Sequence, residues 1–393
     1  MTGSESACDD ARCGTIRLLV VGQTPPPFGG QAIMVQALVD ADLPGIETRH
    51  VRLAFSKEML NMGRPQLRKV FHLLGVILRV WWQQLTFQPD VVYYPPGGAD
   101  RWPVVRDCVT LLAIRPFAKR FLLHFHAGGV SDVWARGIRS APARALFHRA
   151  FFGVDAAVVL SRSNPPDAQI LEARRTYYVT NGVADVSKRL PLPGADGNND
   201  GALRVLFVGV LLESKGVVEL AQACAEAWRR GHVFEVCYVG QYSPEMADRL
   251  VSIAGDHVDR LHLKGVLTGD RKWQEYACAD IFCFPSFFSA EAVSLVLLEA
   301  MMFSLPVIAT RWRGNSETVV DGVTGYLVEC HDMGAIVQRL EELVESRDLR
   351  IGLGQAGRRR FEEEYSVATF LERMGAVVRD VVGQGSPVAN DLR

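Results

Sequence analysis

At 393 residues, the chain is too long for one ordinary domain and suits two. Its hydrophobic fraction of 48% supports substantial cores, and no clean apolar run marks a transmembrane span. The net charge of −1 hides an asymmetry: residues 1–195 carry 23 Lys and Arg against 15 Asp and Glu, a net of +8, and the remainder carries a net of −9. A basic first half points to an anionic partner, membrane lipid or a phosphorylated acceptor, against the plainer reading of an ordinary solvated surface. The eight cysteines are scattered, with no CxxC and no metal-like spacing to histidine, which suits reduced thiols in a cytosol.

The opening MTGSESACDDARCGT is polar, has no cleavable signal pattern, and reads as a disordered tail over 1–14. IRLLVVG (16–22) is a continuous apolar run ending in glycine, the pattern of a buried parallel strand. In the TPPPFGGQAIMVQAL that follows, Pro25 to Pro27 forbid helix, Gly29 and Gly30 make a flexible turn, and a helix begins near Gln31. DVVYYPP (90–96), RFLLHFHAGG (120–129), DAAVVLS (155–161) and TYYVTNGV (176–183) read as further buried strands, with helical stretches between them. Such alternation means a doubly wound parallel α/β sheet. LPLPGADGNNDGA, with two prolines and three glycines, reads as a linker at 191–202 after a first domain at 15–190.

The pattern then restarts over 203–365. LRVLFVG (203–209), FEVCYVG (234–240), LHLKG (261–265), IFCFPS (281–286) and PVIAT (306–310) are short strands separated by helices. Residues 366–393 read as a C-terminal helix crossing back to the first domain. Both halves are therefore open α/β sheets, in which ligands bind outside the carboxyl ends of the strands. Gly22, Gly29, Gly30, Gly128, Gly129, Gly209 and Gly240 all fall at such ends.

The densest signal is PSFFSAEAVSLVLLEAMMFSLPVIATRWRGNSETVVDGVTGYLV, residues 285–328. It sets Glu291 and Glu299 around the start of an apolar helix running from about Ser294 to Phe303. Eight helical residues span roughly 12 Å. That is too far for an acid pair acting on one bond and suits two acceptors gripping an extended polar ligand. Amides of Val293 to Val296 in the first turn lack intrahelical partners and offer an anion site for a diphosphate. The plainer alternative is a helix cap at Glu291 and a buried, salt-bridged Glu299.

These motifs together resemble the retaining, metal-independent glycosyltransferases of the GT-B fold, the large family-four group. The resemblance runs through most of the chain and is strongest over 203–328. VLFVGVLLESKGVVELAQA is similar to the family's strand, glycine loop and Lys-Gly element, and EAVSLVLLEAMMFSLPVIAT to its Glu-x7-Glu segment. PPPFGGQ, HFHAGG, VVLSRS and VTNGV are weaker matches in the first half. The resemblance implies two Rossmann-like domains facing each other across a cleft, the first binding the acceptor and the second a nucleotide-diphosphate sugar.

It also implies roles. Lys215 would neutralise the donor diphosphate as charge builds on the leaving group. Glu291 would bind hexose hydroxyls, the backbone near Val293, Ser294 and Leu295 the β-phosphate, and Glu299 the ribose hydroxyls. Gly29 and Gly30 would approach the phosphates, Gly209 would let the backbone near the ligand, and His126 would face the donor hexose as a positioning residue. His124 reads as a strand residue, and Asn181 with Gly182 as a turn. The implied transfer occurs on one face of the sugar, the leaving phosphate deprotonating the incoming hydroxyl, with no catalytic base nominated. The resemblance is to a metal-independent group, so neither metal nor cofactor is expected. Two positions depart from the pattern. Val210 stands where the family often has an Arg paired with the Lys, leaving Arg311 or Arg313 as substitutes, and Ser304 stands where Gly is usual.

The acceptor is sought in the basic half. Segment 66–87, QLRKVFHLLGVILRVWWQQLTF, is apolar with Arg68, Lys69, Arg79 and the pair Trp81-Trp82, and residues 101–150 hold nine Arg and Lys against two Asp. A basic apolar surface with tryptophans fits an interfacial membrane site. A cytoplasmic enzyme attached to the inner membrane face, acting on a lipid-linked or saccharide acceptor in cell-surface polysaccharide or glycolipid synthesis, is then the expectation. The plainer reading makes 66–87 a core helix. Rival functions are a non-catalytic nucleotide-sugar-binding protein, suggested by Val210, and an inverting or epimerising enzyme of the same fold. An oxidoreductase is disfavoured because no G-x-G-x-x-G follows the first strand.

Overall fold

The computed structural model describes residues 14–26, 29–53, 67–189 and 203–383. The linker at 191–202, and the tail at 1–14 except Gly14, lie outside these residues. Two six-stranded sheets, every ladder parallel, carry the architecture. The first runs in the order β2-β1-β3-β4-β5-β6. Its strands are β1 (Ile16–Gly22), β2 (Ile46–Arg52), β3 (Val91–Tyr94), β4 (Phe121–Phe125), β5 (Ala156–Val159) and β6 (Thr176–Tyr178). The second runs β12-β11-β10-β7-β8-β9. Its strands are β7 (Leu203–Val208), β8 (Phe234–Val239), β9 (Leu261–Gly265), β10 (Ile281–Phe284), β11 (Val307–Thr310) and β12 (Gly325–Val328).

Both orders reverse direction once. In the first sheet the reversal lies between β1 and β3, in the second between β7 and β10. A reversal opens a crevice at the carboxyl ends of the two strands, because their following helices go to opposite faces. Lys215 follows β7, and Glu291 follows β10. Topology alone therefore brings these two residues to one crevice.

Burial on both faces explains why most strands were readable. Along β1, Leu19 and Val21 join the core on one face, and Leu18 and Val20 join the core on the other. Two strands escape the reading of buried apolar runs. Both are at edges: β2, IETRHVR, alternates buried and exposed positions, and β12 is only half-buried. An edge strand has one neighbour and needs no continuous apolar run.

Helices α1 (Gly30–Asp40), α2 (Leu67–Thr86) and α3 (Arg101–Ile114) cover the first sheet. The C-terminal helix Val367–Val382 packs against α1 and β3, with Phe370, Met374, Val377 and Val378 buried. Its start is fixed tightly: a Cβ on Gly182 would sit 2.9 Å from the Phe370 Cβ and would overlap the Ser366 carbonyl. At this crossing Val183 N donates to the Tyr365 carbonyl at 2.9 Å and Val367 N donates to the Val183 carbonyl at 3.1 Å. Gly182 is thus the residue that admits the returning helix, beyond the turn role read from sequence. No described helix is long and apolar enough to cross a membrane.

Candidate active site

The site is built on the crevice between β7 and β10. After β7 the chain passes Gly209 and Val210 into a short turn, Glu213–Lys215, and then into helix Val217–Arg229. Gly216 joins turn to helix at φ 75°, and a Cβ there would overlap the Pro285 carbonyl. Only glycine allows both the left-handed backbone and that approach. The Lys215 loop is therefore seated directly on the segment leaving β10.

That seat brings Lys215 Nζ to 2.6 Å from Glu291 Oε2. Ser286 Oγ donates to the same oxygen at 2.7 Å, and Ser294 Oγ donates to Glu291 Oε1 at 2.7 Å. Burial alone would raise the Glu291 carboxyl; the Lys215 ammonium and the two hydroxyls overcome it and hold it below its ordinary value. The Lys215 ammonium also lies 4.5 Å from the centre of the Phe288 ring. Asn315 Oδ1 lies 3.2 Å from Ser294 Oγ, while Asn315 Nδ2 is buried without a partner. One serine proton cannot serve both Glu291 and Asn315, and turning this amide lets Nδ2 donate to the serine hydroxyl.

The apolar helix is shorter than its sequence suggests, Leu295–Met302, with Ser294 as its cap residue. Ser294 spends its hydroxyl on Glu291 and makes no cap hydrogen bond, so the first-turn amides are left unanswered by it. Val293, Ser294 and Leu295 are buried where the second domain meets the first. The Gly30 position lies beside the Leu295 side chain, and Asn181 Nδ2 donates to the Val293 carbonyl at 3.1 Å. Asn181 thus clasps the two domains, a role its place in a turn did not reveal.

Glu299 is 4% exposed and already engaged. Lys272 Nζ lies 2.5 Å from its Oε1, and Tyr276 OH donates to Oε2 at 2.7 Å. Lys272 and Tyr276 come from helix Asp270–Ala277. Sequence reading missed both, although their spacing of four places them on one helical face.

At the end of β4, His126 is 9% exposed and its Nδ1 has no partner among the described residues. Tyr93 OH lies 3.3 Å from His126 Nε2 and 2.8 Å from His124 Nδ1, so it donates to one ring and accepts from the other. Burial pushes the His126 imidazole down to about 3, with a small opposing effect of Asn181. Burial and the neighbouring His126 lower His124 as well. Both rings are neutral near pH 7, which suits positioning by hydrogen bonds and excludes acid catalysis by imidazolium. A Cβ at Gly209 would meet ring carbons at 3.4 Å, and the tight approach within the protein is that of Gly240 onto the Gly209 carbonyl.

The substitutes for the missing cation at Val210 separate clearly. Arg311 is tied to Asp321 at 3.0 Å and Glu329 at 3.2 Å. Arg313 instead lies against Gly128 at the domain seam. Among the described residues no cluster of three or more His, Cys, Asp or Glu is placed to hold a metal ion.

Two Rossmann-like sheets joined across such a seam are the GT-B fold. The structure of Anabaena Alr3699/HepE in complex with UDP and glucose superposes with a TM-score of 0.65 at 16% identity, over 92% of this chain and 99% of that one. Sucrose-phosphate synthase from Thermosynechococcus elongatus does so at 0.66 and 17%, over 93% and 99%. Residues 192–360 match the family of glycosyl transferases group 1, and this half of the chain is a domain of that family. The capsular polysaccharide biosynthesis glycosyltransferase CapM of Staphylococcus aureus is 28% identical over 173 residues, 43% of each chain. The chain spans about half the length of the curated relatives it matches.

Proposed function

We propose that the protein transfers a hexosyl unit from a nucleotide-diphosphate sugar to a lipid-linked or saccharide acceptor, with retention of anomeric configuration. The observation that carries this reading is the Lys215–Glu291 pair at the strand-order reversal, beside the open first turn of helix Leu295–Met302. Such a crevice holds a cation and free amides for a diphosphate, and a carboxylate with two serines for hydroxyls. A diphosphate entering there draws the Lys215 ammonium toward itself and frees one Glu291 lone pair for a sugar hydroxyl. Glu299 keeps acceptor capacity beyond Lys272 and Tyr276, enough to receive ribose hydroxyls.

In the transfer, the bond from the anomeric carbon to the phosphate oxygen breaks, and the acceptor oxygen bonds to the same face of that carbon. The acceptor proton passes to the departing phosphate. Lys215 stabilises the charge that builds there, and neutral His126 orients the hexose. The likeness to CapM supports a place in cell-surface polysaccharide or glycolipid synthesis.

The acceptor is reached at an anionic membrane surface. Phe71, Leu78, Trp82 and Leu85 line one side of α2, exposed by 75, 60, 64 and 73%. Trp102, Val105 and Val109 extend the patch along α3, and Trp81 Nε1 donates to the Ala113 carbonyl to tie the helices together. Exposed Arg79 and Arg101 flank it, and α2 contains no Asp or Glu. The side chains of Arg68 and Lys69 lie outside the described residues. Contiguous apolar area of this kind needs a partner, and tryptophans with arginines suit a headgroup region.

Incubating the protein with uridine, guanosine and adenosine diphosphate sugars, and analysing released nucleoside diphosphate and product anomer, tests the transfer. Binding of a donor with neither hydrolysis nor transfer supports instead the non-catalytic reading that Val210 suggests, an inverted product supports the inverting one, and no binding of any donor overturns both. Sedimentation with phosphatidylglycerol and phosphatidylcholine vesicles at low salt tests the surface; equal partition between them overturns it.

A further inference from the structure

Val210 leaves the end of β7 without a second cation, and the opposite side of the crevice supplies one. Arg313 lies between β11 and the short helix Asn315–Thr318, with its backbone at φ 47°. A non-glycine residue in the left-handed region is strained, and such strain gathers at ligand sites. The loop that holds it is fastened across the domain seam. Gly314 N donates to Asn164 Oδ1 at 3.1 Å, and Glu317 Oε1 accepts from Ser163 N at 2.6 Å and from its hydroxyl at 2.8 Å. On the other side Gly314 backs onto Ala292 and Val293. Arg313 is thereby set between the Glu291 loop and the Gly128 turn, its Nη1 lying 3.4 Å from where a Gly128 Cβ would stand.

The donors of this guanidinium are unspent. Arg313 makes no ion pair with any described carboxylate, and its buried Nε has no hydrogen-bond partner. The Trp312 ring lies 5.2 Å from its central carbon. A planar fork held in a strained backbone at the domain seam, and unpaired, is shaped for an oxyanion.

We propose that Arg313 binds a phosphate group of the ligand in the cleft, as the second cation that Val210 does not provide. This rests on the donor-site reading above. The phosphate comes from the donor diphosphate or from a phosphate on the acceptor, and the experiment separates the two.

Calorimetric titration of uridine, guanosine and adenosine diphosphate, and of the matching nucleosides, is made on the wild type, Arg313→Gly, Arg313→Lys and Arg311→Gln. Glycine relieves the backbone strain, so loss of affinity in Arg313→Gly is not a folding artefact if its melting temperature holds or rises. The expected result is roughly a ten- to hundredfold loss of nucleoside diphosphate affinity in Arg313→Gly, with nucleoside affinity unchanged. Arg313→Lys recovers part of the loss, and Arg311→Gln matches the wild type. Unchanged nucleoside diphosphate affinity, with KM raised tenfold only for a phosphate-bearing acceptor, assigns the phosphate to the acceptor. Affinity and KM both within twofold of wild type in Arg313→Gly overturn the proposal while the donor-site reading stands. A wild type that binds no nucleoside diphosphate overturns both.

Discussion

Lys215 and Glu291, 76 residues apart in sequence, form an ion pair of 2.6 Å with side chains only 17 and 10% exposed. The two charges nominated to grip a ligand neutralise each other in this structure. Each charge is kept largely desolvated and held in place by the other.

Breaking it has a stability cost. Removing one partner of a buried pair costs about 3–5 kcal/mol, and the partial opening here places the effect toward the lower end. Lys215→Ala and Glu291→Ala are each expected to lower urea-unfolding stability by about 3 kcal/mol. The double variant is expected to lose less than the sum, and each single variant to lose nearly all transfer. Strict additivity in the double-mutant cycle refutes the pair as an energetic unit.

Glu299 is held by Lys272 and Tyr276, so its two possible roles have separable signatures. Tyr276→Phe is expected to cost about 1.5–3 kcal/mol of stability, the value of a hydrogen bond to a charged group. Glu299→Gln is expected to weaken nucleoside binding by about tenfold or more, as a charge-assisted bond to ribose is lost. Equal nucleoside affinity in Glu299→Gln and wild type leaves Glu299 a structural acid alone.

His124 and His126 make stability depend on pH. The His126 imidazole is lowered from 6.5 to about 3, so between these values the unfolded chain binds a proton that the folded chain refuses. Stability is full above about pH 6.5 and falls as pH drops, by about 1.4 kcal/mol per pH unit for each such histidine. Urea titrations at pH 7.5, 6.5 and 5.5 check this. His124→Phe is expected to flatten the slope; an unchanged slope contradicts the assignment.

Ser304 sits at φ 58°, just past the end of helix Leu295–Met302, where glycine carries no Cβ penalty. Ser304→Gly is expected to stabilise the protein by up to about 1 kcal/mol, the relief of strain being partly offset by the freer unfolded chain. Thermal denaturation reads the shift. A lower melting temperature places the serine hydroxyl in a role that outweighs the strain.

Ten of the twelve strands were legible; eight are inner strands, whose burial on both faces reads as an apolar run, and the partly exposed edge strands β6 and β9 were read as well. The edge strands β2 and β12 were not, since one open side removes that demand. Around the site, Lys215 and Glu291 were legible from a glycine loop and from a carboxylate before an apolar helix. Their neighbours were not. Ser286 looks like any loop serine, and Asn181 looks like a turn residue until its amide is found 3.1 Å from Val293, 112 residues away.

The sequence by itself determined the double α/β alternation, the glycine-ended strands, the Lys-Gly turn and the spaced carboxylates. These are local properties, set by side-chain periodicity and backbone freedom over a few residues. Only the tertiary structure decided that Lys215 is spent on Glu291, that Glu299 is shared with Lys272 and Tyr276, and that Arg313 rather than Arg311 turns to the seam. Ion pairs and hydrogen bonds act over about 3 Å, and which residues come that close depends on the strand order and the meeting of two domains.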